Sequence, residues 1–154
     1  MKTNSGAIVF SMLLLIFAVA SCRGEGQNMR VMITKDQTCI YTGPSSIPYG
    51  KIAIEVEVEK TPSADAALFV FSLSEGKNTN DFQVWLESTH LEPGTIFSDW
   101  VITITFDSIP RSLAAYTVAA DLSTNAAYDG SPLYIACILP DGSWNVLGPI
   151  RVQR

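Results

Sequence analysis

Side chains that carry chemistry are scarce in this chain. It has one histidine, His90, and only 16% of its residues are charged. His90 lies in the stretch STHLEPG, at the boundary of an element, and reads as an exposed loop residue. As a catalytic base it would need a partner nucleophile, and the sequence has neither a Gly-x-Ser-x-Gly elbow nor a reactive-cysteine context. A phosphate loop, a Cys-x-x-Cys pair, a haem attachment site and zinc-ligand spacing are also missing. Basic residues are outnumbered by acidic ones, 10 to 15. That balance argues against nucleic acid as a partner and against electrostatic docking on anionic lipid. Internal repeats and low-complexity segments are absent as well.

Long apolar runs are few, and the longest is at the N-terminus. Residues 7–20, AIVFSMLLLIFAVA, form a 14-residue run broken only by Ser11, with Lys2 ahead of it. The run falls short of the roughly 20 residues a spanning helix needs. Its length suits the apolar region of an export signal that is removed from the mature protein. Ala18-Val19-Ala20 is a small-x-small site for ordinary signal peptidase, with Ser21 as first mature residue; an uncleaved anchor is the remaining alternative.

The four residues that end the run, Val19-Ala20-Ser21-Cys22, resemble the bacterial lipoprotein box: an aliphatic residue, two small residues, then cysteine. The resemblance implies a diacylglycerol on the Cys22 thiol and cleavage that makes Cys22 residue one. It divides the chain into a signal peptide over 1–21, a polar, glycine-containing tether over 22–29 and a domain over 30–154. Two or more acyl chains give stable attachment where one is marginal. The expected partner is then the membrane, through the lipid on Cys22, and the expected location is the bacterial cell membrane or outer envelope. The 133 residues from Cys22 onward make one domain, long enough to bury a core.

Cysteine is rare too: Cys22, Cys39 and Cys137. Lipidation of Cys22 leaves one pair, which in an exported protein is expected to be the disulfide Cys39–Cys137. The alternative is two buried free thiols.

The rest of the chain has the spacing of an all-β domain. Residues 30–34 and 37–41 read as opening strands, followed by turn chemistry at 43–46 and 48–50. Residues 51–59, KIAIEVEVE, alternate cleanly, with Ile52, Ile54, Val56 and Val58 on one face and Glu55, Glu57 and Glu59 on the other. An antiparallel sheet with one wet face has this pattern. Residues 66–73, AALFVFSL, read as a central, more buried strand. In residues 79–88 the period changes: Phe82, Trp85 and Leu86 mark one short helix covering the sheet, capped by Thr79 or Asn80. Residues 100–106 alternate with Trp100, Ile102, Ile104 and Phe106 on one side, and 113–122 with Tyr116, Val118, Ala120 and Leu122, where the alanines also permit a helix. Residues 133–139 and 144–152 flank the turn Pro140-Asp141-Gly142-Ser143 as a hairpin. About eight strands with at most one short helix predict an antiparallel Greek-key β-sandwich.

The last hairpin, LYIACILPDGSWNVLGPIRV, resembles that of cupredoxins, and PYGKIAIEVEV is similar to an early strand of the same family. The resemblance implies a cupredoxin-like sandwich and places Cys137 at the copper thiolate. The sequence departs from the family where the metal would bind. Pro140 occupies the histidine position three residues after Cys137, and the methionine position falls near Asn145 or Val146. A blue-copper site needs two imidazoles, a thiolate and a weak axial ligand. With a single histidine that set is incomplete, so no cofactor is expected.

Several residue groups compete as functional candidates. Glu55, Glu57 and Glu59 could hold Ca²⁺ or act as paired carboxylates, but read better as a solvated face that discourages strand addition. Met29 and Met32 could supply thioethers, but read as packing. Trp85, Trp100 and Trp144, with Tyr41, Tyr49, Tyr116, Tyr128 and Tyr134, could line a sugar- or peptide-binding surface. Among these, Tyr41 and Tyr49 stand beside turns as the expected exposed pair. The sequence thus points to a non-enzymatic, membrane-anchored envelope lipoprotein with a binding domain for an envelope protein or glycan. The alternatives are a cupredoxin-derived redox or metal-handling protein, a plainly secreted sandwich cleaved after Ala20, and an envelope hydrolase that uses His90.

Overall fold

The structure is a computed structural model that describes residues 28–59, 65–89, 97–110 and 112–154. The lipoprotein box with Cys22, the signal segment and His90 lie outside the described residues. What is described is mostly β: nine strands, one α-helix and a short 3-10 turn at Leu122–Thr124. No helix among the described residues is long and apolar enough to cross a membrane.

The strands are β1 (Met29–Ile33), β2 (Cys39–Thr42), β3 (Ser46–Pro48), β4 (Lys51–Val58), β5 (Ala66–Leu73), β6 (Val101–Ile109), β7 (Ala115–Asp121), β8 (Leu133–Ile138) and β9 (Trp144–Gln153); α1 (Thr79–Ser88) joins β5 to β6. They form a four-stranded sheet in the order β2-β1-β4-β7 and a five-stranded sheet in the order β3-β9-β8-β5-β6. Both sheets are mixed, which corrects the expectation of purely antiparallel pairing. β1 runs parallel to β4, and β3 parallel to β9. The cause lies in the connection. After the β1–β2 hairpin the chain crosses to the other sheet as β3 and comes back beside β1 as β4, in the same direction.

The alternation in β4 is realised as read: Ile52, Ile54 and Val56 are buried while Ala53 and Glu55 are exposed. β5 is buried along its whole length, because it is flanked by β6 and β8 and covered on both faces. Its Leu68 and Val70 join a core shared with Val31, Ile54, Val56 and Val118 of the other sheet. Phe69, Phe71 and Leu73 point the opposite way, into a second, aromatic cluster. A continuous apolar run in a β-strand is what two buried faces require.

Three further differences have local causes. β3 lies within a stretch that reads as turn, being three residues long and paired only with the end of β9. The first strand begins one residue earlier than expected, since Met29 is the first residue of β1 and is 2% exposed. The alternation of residues 100–106 does not keep one face. A bulge at Ile104, opposite the Val70–Phe71 step, reverses the side-chain direction. Ile102 and Ile104 therefore face the shared core, while Phe106 stands across from Phe69 and is half exposed.

Candidate functional site

The second cluster forms on the face of the five-stranded sheet that is turned away from the shared core. Phe69 stacks on Phe71 at 4.9 Å and on Phe97 at 4.4 Å, and Phe71 on Phe82 of α1 at 4.3 Å. Trp85 packs on Phe82, Phe97 and Trp100. Phe82 is fully buried, so α1 is held by this stripe. Its start is fixed by Asn78, one residue before the expected cap. Asn78 Oδ1 accepts from the N–H groups of Asn80 (2.8 Å) and Asp81 (3.2 Å), and Asp81 returns a carboxylate to the Asn78 N–H at 3.0 Å. This is a reciprocal capping box.

Beside the stripe, α1 turns a second face toward β9. Thr79, Gln83, Leu86 and Glu87 there oppose Trp144, Val146 and Gly148 across a groove of about 460 Å³, a volume in the range of small-molecule sites. Trp144 and Val146 lean against the aromatic cluster and are half-buried. Among the described residues Trp144 is the one aromatic side chain of this cluster without any ring contact, stacked or edge-on. Gly148 of the groove lies at a kink in β9. Leu133 pairs with Ile150 but Ile135 with Leu147, so Gly148 and the cis-linked Pro149 bulge out of register. Gly148 has φ +122°, and a Cβ there would come within 3.0 Å of the Leu133 carbonyl, so the position demands glycine.

The structure pairs Cys39 of β2 with Cys137 of β8, tying the two sheets together. Beside the bond, Asn145 Oδ1 accepts the Cys39 N–H at 3.0 Å. The thiolate position of the cupredoxin resemblance is thus taken up by the disulfide. Met29 packs in the shared core, whereas Met32 is half-buried and outside both clusters.

The acidic face of β4 is partly engaged. Arg30 bonds Glu55 at 3.2 Å and approaches Glu57 at 3.5 Å, while Glu59 accepts the Lys35 N–H at 3.0 Å. Three other carboxylates close Asp-x-Ser turns. Asp121, Asp129 and Asp141 each accept from the serine two residues on, through its N–H, and Asp121 and Asp141 also through its hydroxyl. These bonds hold all three carboxyls below the usual range.

Of the expected exposed tyrosines, Tyr49 is 37% exposed, whereas Tyr41 is half-buried and donates to the Pro44 carbonyl at 2.8 Å. Tyr49 stacks on Tyr128 at 6.2 Å with the Arg154 guanidinium 5.3 Å from its own ring. Tyr128 is 5% exposed and donates to the Ser131 carbonyl at 2.7 Å. Burial first, then the nearby Asp129 carboxylate, push its phenol up to about 12. This trio pins the C-terminus and presents no reactive group.

The groove between α1 and β9 was not legible as a site in the sequence, although Trp144 was among the aromatic candidates. A signal existed in the spacing of Thr79, Gln83 and Glu87, a four-residue polar stripe beside the apolar Phe82–Trp85–Leu86 stripe. Neither a known protein-family model nor a curated protein matches the chain.

Proposed function

We propose that this protein is a bacterial envelope lipoprotein: Cys22 carries a diacylglycerol, and a non-catalytic β-sandwich domain is held at the membrane to bind a partner. The observation that carries this reading is the pairing of Cys39 with Cys137. It accounts for two of the three cysteines and leaves Cys22, which ends the apolar run in Val19-Ala20-Ser21-Cys22. Cys22 stands seven residues ahead of β1, a span of up to roughly 25 Å when extended. The anchor would thus hold the domain close to the bilayer at the end where β1 and β4 begin and β7 ends. Lys51 pairs with Asp121 at that end.

For the domain itself we propose the Greek-key, cupredoxin-like form of sandwich, without its metal. The core shared by both sheets and the disulfide between them support face-to-face packing. The β8–β9 hairpin, and the glycine turn at Gly50 that leads into β4, support the family resemblance. Binding is favoured over catalysis because the candidate carboxylates Glu55, Glu57 and Glu59 are engaged in ion pairs and a backbone hydrogen bond, while the groove offers recognition chemistry. The test is metabolic labelling with an alkyne fatty acid in a bacterial host. Label is expected on the wild type and on Cys39→Ala/Cys137→Ala, and is expected to vanish in Cys22→Ala. Label retained by Cys22→Ala would overturn the anchor.

A further inference from the structure

We propose that the groove between α1 and β9 binds a neutral saccharide, and specifically an N-acetylated amino sugar within a glycan. The proposal rests on the reading of the domain as a binding module and names the ligand class for it. Three features of the groove converge on that class. The first is Trp144, half-buried on the wall and without a stacked ring partner among the described residues. An indole face left unstacked in an aromatic cluster is a platform for the C–H face of a pyranose, as it is for other apolar faces. The second is the set of hydrogen-bonding groups opposite it. Gln83 offers both a donor and an acceptor, Thr79 a hydroxyl and Glu87 a carboxylate, all on exposed positions of a rigid, capped helix. Sugar hydroxyls donate and accept at once, and amide and carboxylate side chains match them. The third is the apolar part of the lining, Leu86 on the helix wall and Val146 on the β9 wall, a contact for the methyl of an acetamido group whose N–H and C=O the polar stripe would satisfy.

The same lining disfavours other ligands. The described lining residues include no lysine or arginine, so a phosphate or sulfate has no counter-charge there and meets Glu87 instead. An apolar peptide side chain would seek a closed apolar pocket, whereas this groove is rimmed by three polar side chains. Gly148, where β9 leaves register with β8, is the groove's backbone-only lining position.

The test uses the full mature protein in a polyoxyethylene detergent, with chitotriose as the probe, followed by tryptophan fluorescence and calorimetry. Saturable binding is expected, weakened about tenfold by Trp144→Ala, since one aromatic face is worth about that factor. Because Trp144 also packs on the cluster, the double variant Gln83→Ala/Glu87→Ala, at exposed helix positions, provides the second arm. It is expected to keep the thermal transition and to lose roughly three- to tenfold in affinity. Absence of saturable binding to chitotriose overturns the proposal. So does binding that both variants leave unchanged, or preference for an unstructured peptide over the saccharide. The mass of the N-terminal peptide, measured on the same preparation, keeps this result separate from the anchor. A mature protein that lacks lipid but binds chitotriose refutes the anchor alone, and a lipidated protein that does not bind refutes this proposal alone.

Discussion

Reducing the disulfide should cost this domain a large share of its stability. Cys39 and Cys137 are 98 residues apart in sequence, and their bond closes most of the domain into one loop. In the chain-entropy treatment a loop of that length removes about 16 cal/mol/K from the unfolded ensemble, or about 4.7 kcal/mol at 25 °C. Marginal stabilities of ~5–15 kcal/mol make that a decisive term. The perturbation is reduction of one and the same chain, in a soluble form carrying Cys22→Ser, which avoids the cavity a substitution would leave. The assay is equilibrium urea unfolding followed by tryptophan fluorescence, with and without a phosphine reductant. The midpoint should fall by an amount equivalent to about 3–5 kcal/mol, and the melting temperature by roughly 15–20 °C for a domain of this size. A difference below about 1 kcal/mol would refute the reasoning. It would mean that the two sheets are held by the shared core of Val31, Ile54, Leu68 and Ile135 regardless of the covalent tie.

Three further predictions concern the aromatic cluster, the exposed side of α1 and the C-terminal pin. Phe69→Ala should destabilise by about 3–5 kcal/mol in the same assay, because its fully buried ring meets Phe71, Phe97, Phe82 and Phe106. Val84→Ala, on the exposed side of α1, should stay within about 0.5 kcal/mol. Tyr128 should titrate near pH 12 rather than 10, as a late step in ultraviolet difference absorbance that Tyr128→Phe removes. The fold favours its neutral phenol, so the associated stability is complete below pH 10 and is lost as pH rises toward 12. Titration of all five tyrosines near 10 would contradict that environment.

The sequence was most informative where one residue decides between water and core. Ile52, Ile54 and Val56 alternate against a single core and were readable as a half-buried strand; AALFVFSL was readable as a buried one. Phe82, Trp85 and Leu86 marked α1 because its period differs from that of its neighbours. Strand direction was not readable, since the parallel pairing of β1 with β4 depends on a crossing through the other sheet that leaves no mark in local pattern. Nor was the bulge at Ile104, which moved Phe106 to the opposite face from Ile102 while every residue around it kept its β preference. The groove was hidden for a related reason. It forms between Gln83 and Trp144, which are distant in the chain and are brought together only by the packing of α1 on the sheet.

The central claim is the lipid on Cys22, and the mass of the mature N-terminal peptide measures it directly. Purified from a bacterial membrane and digested, the protein should yield a first peptide that begins at Cys22 and carries a diacylglyceryl thioether. A first peptide that begins at an unmodified Ser21, or that contains a free Cys22 thiol, would contradict it.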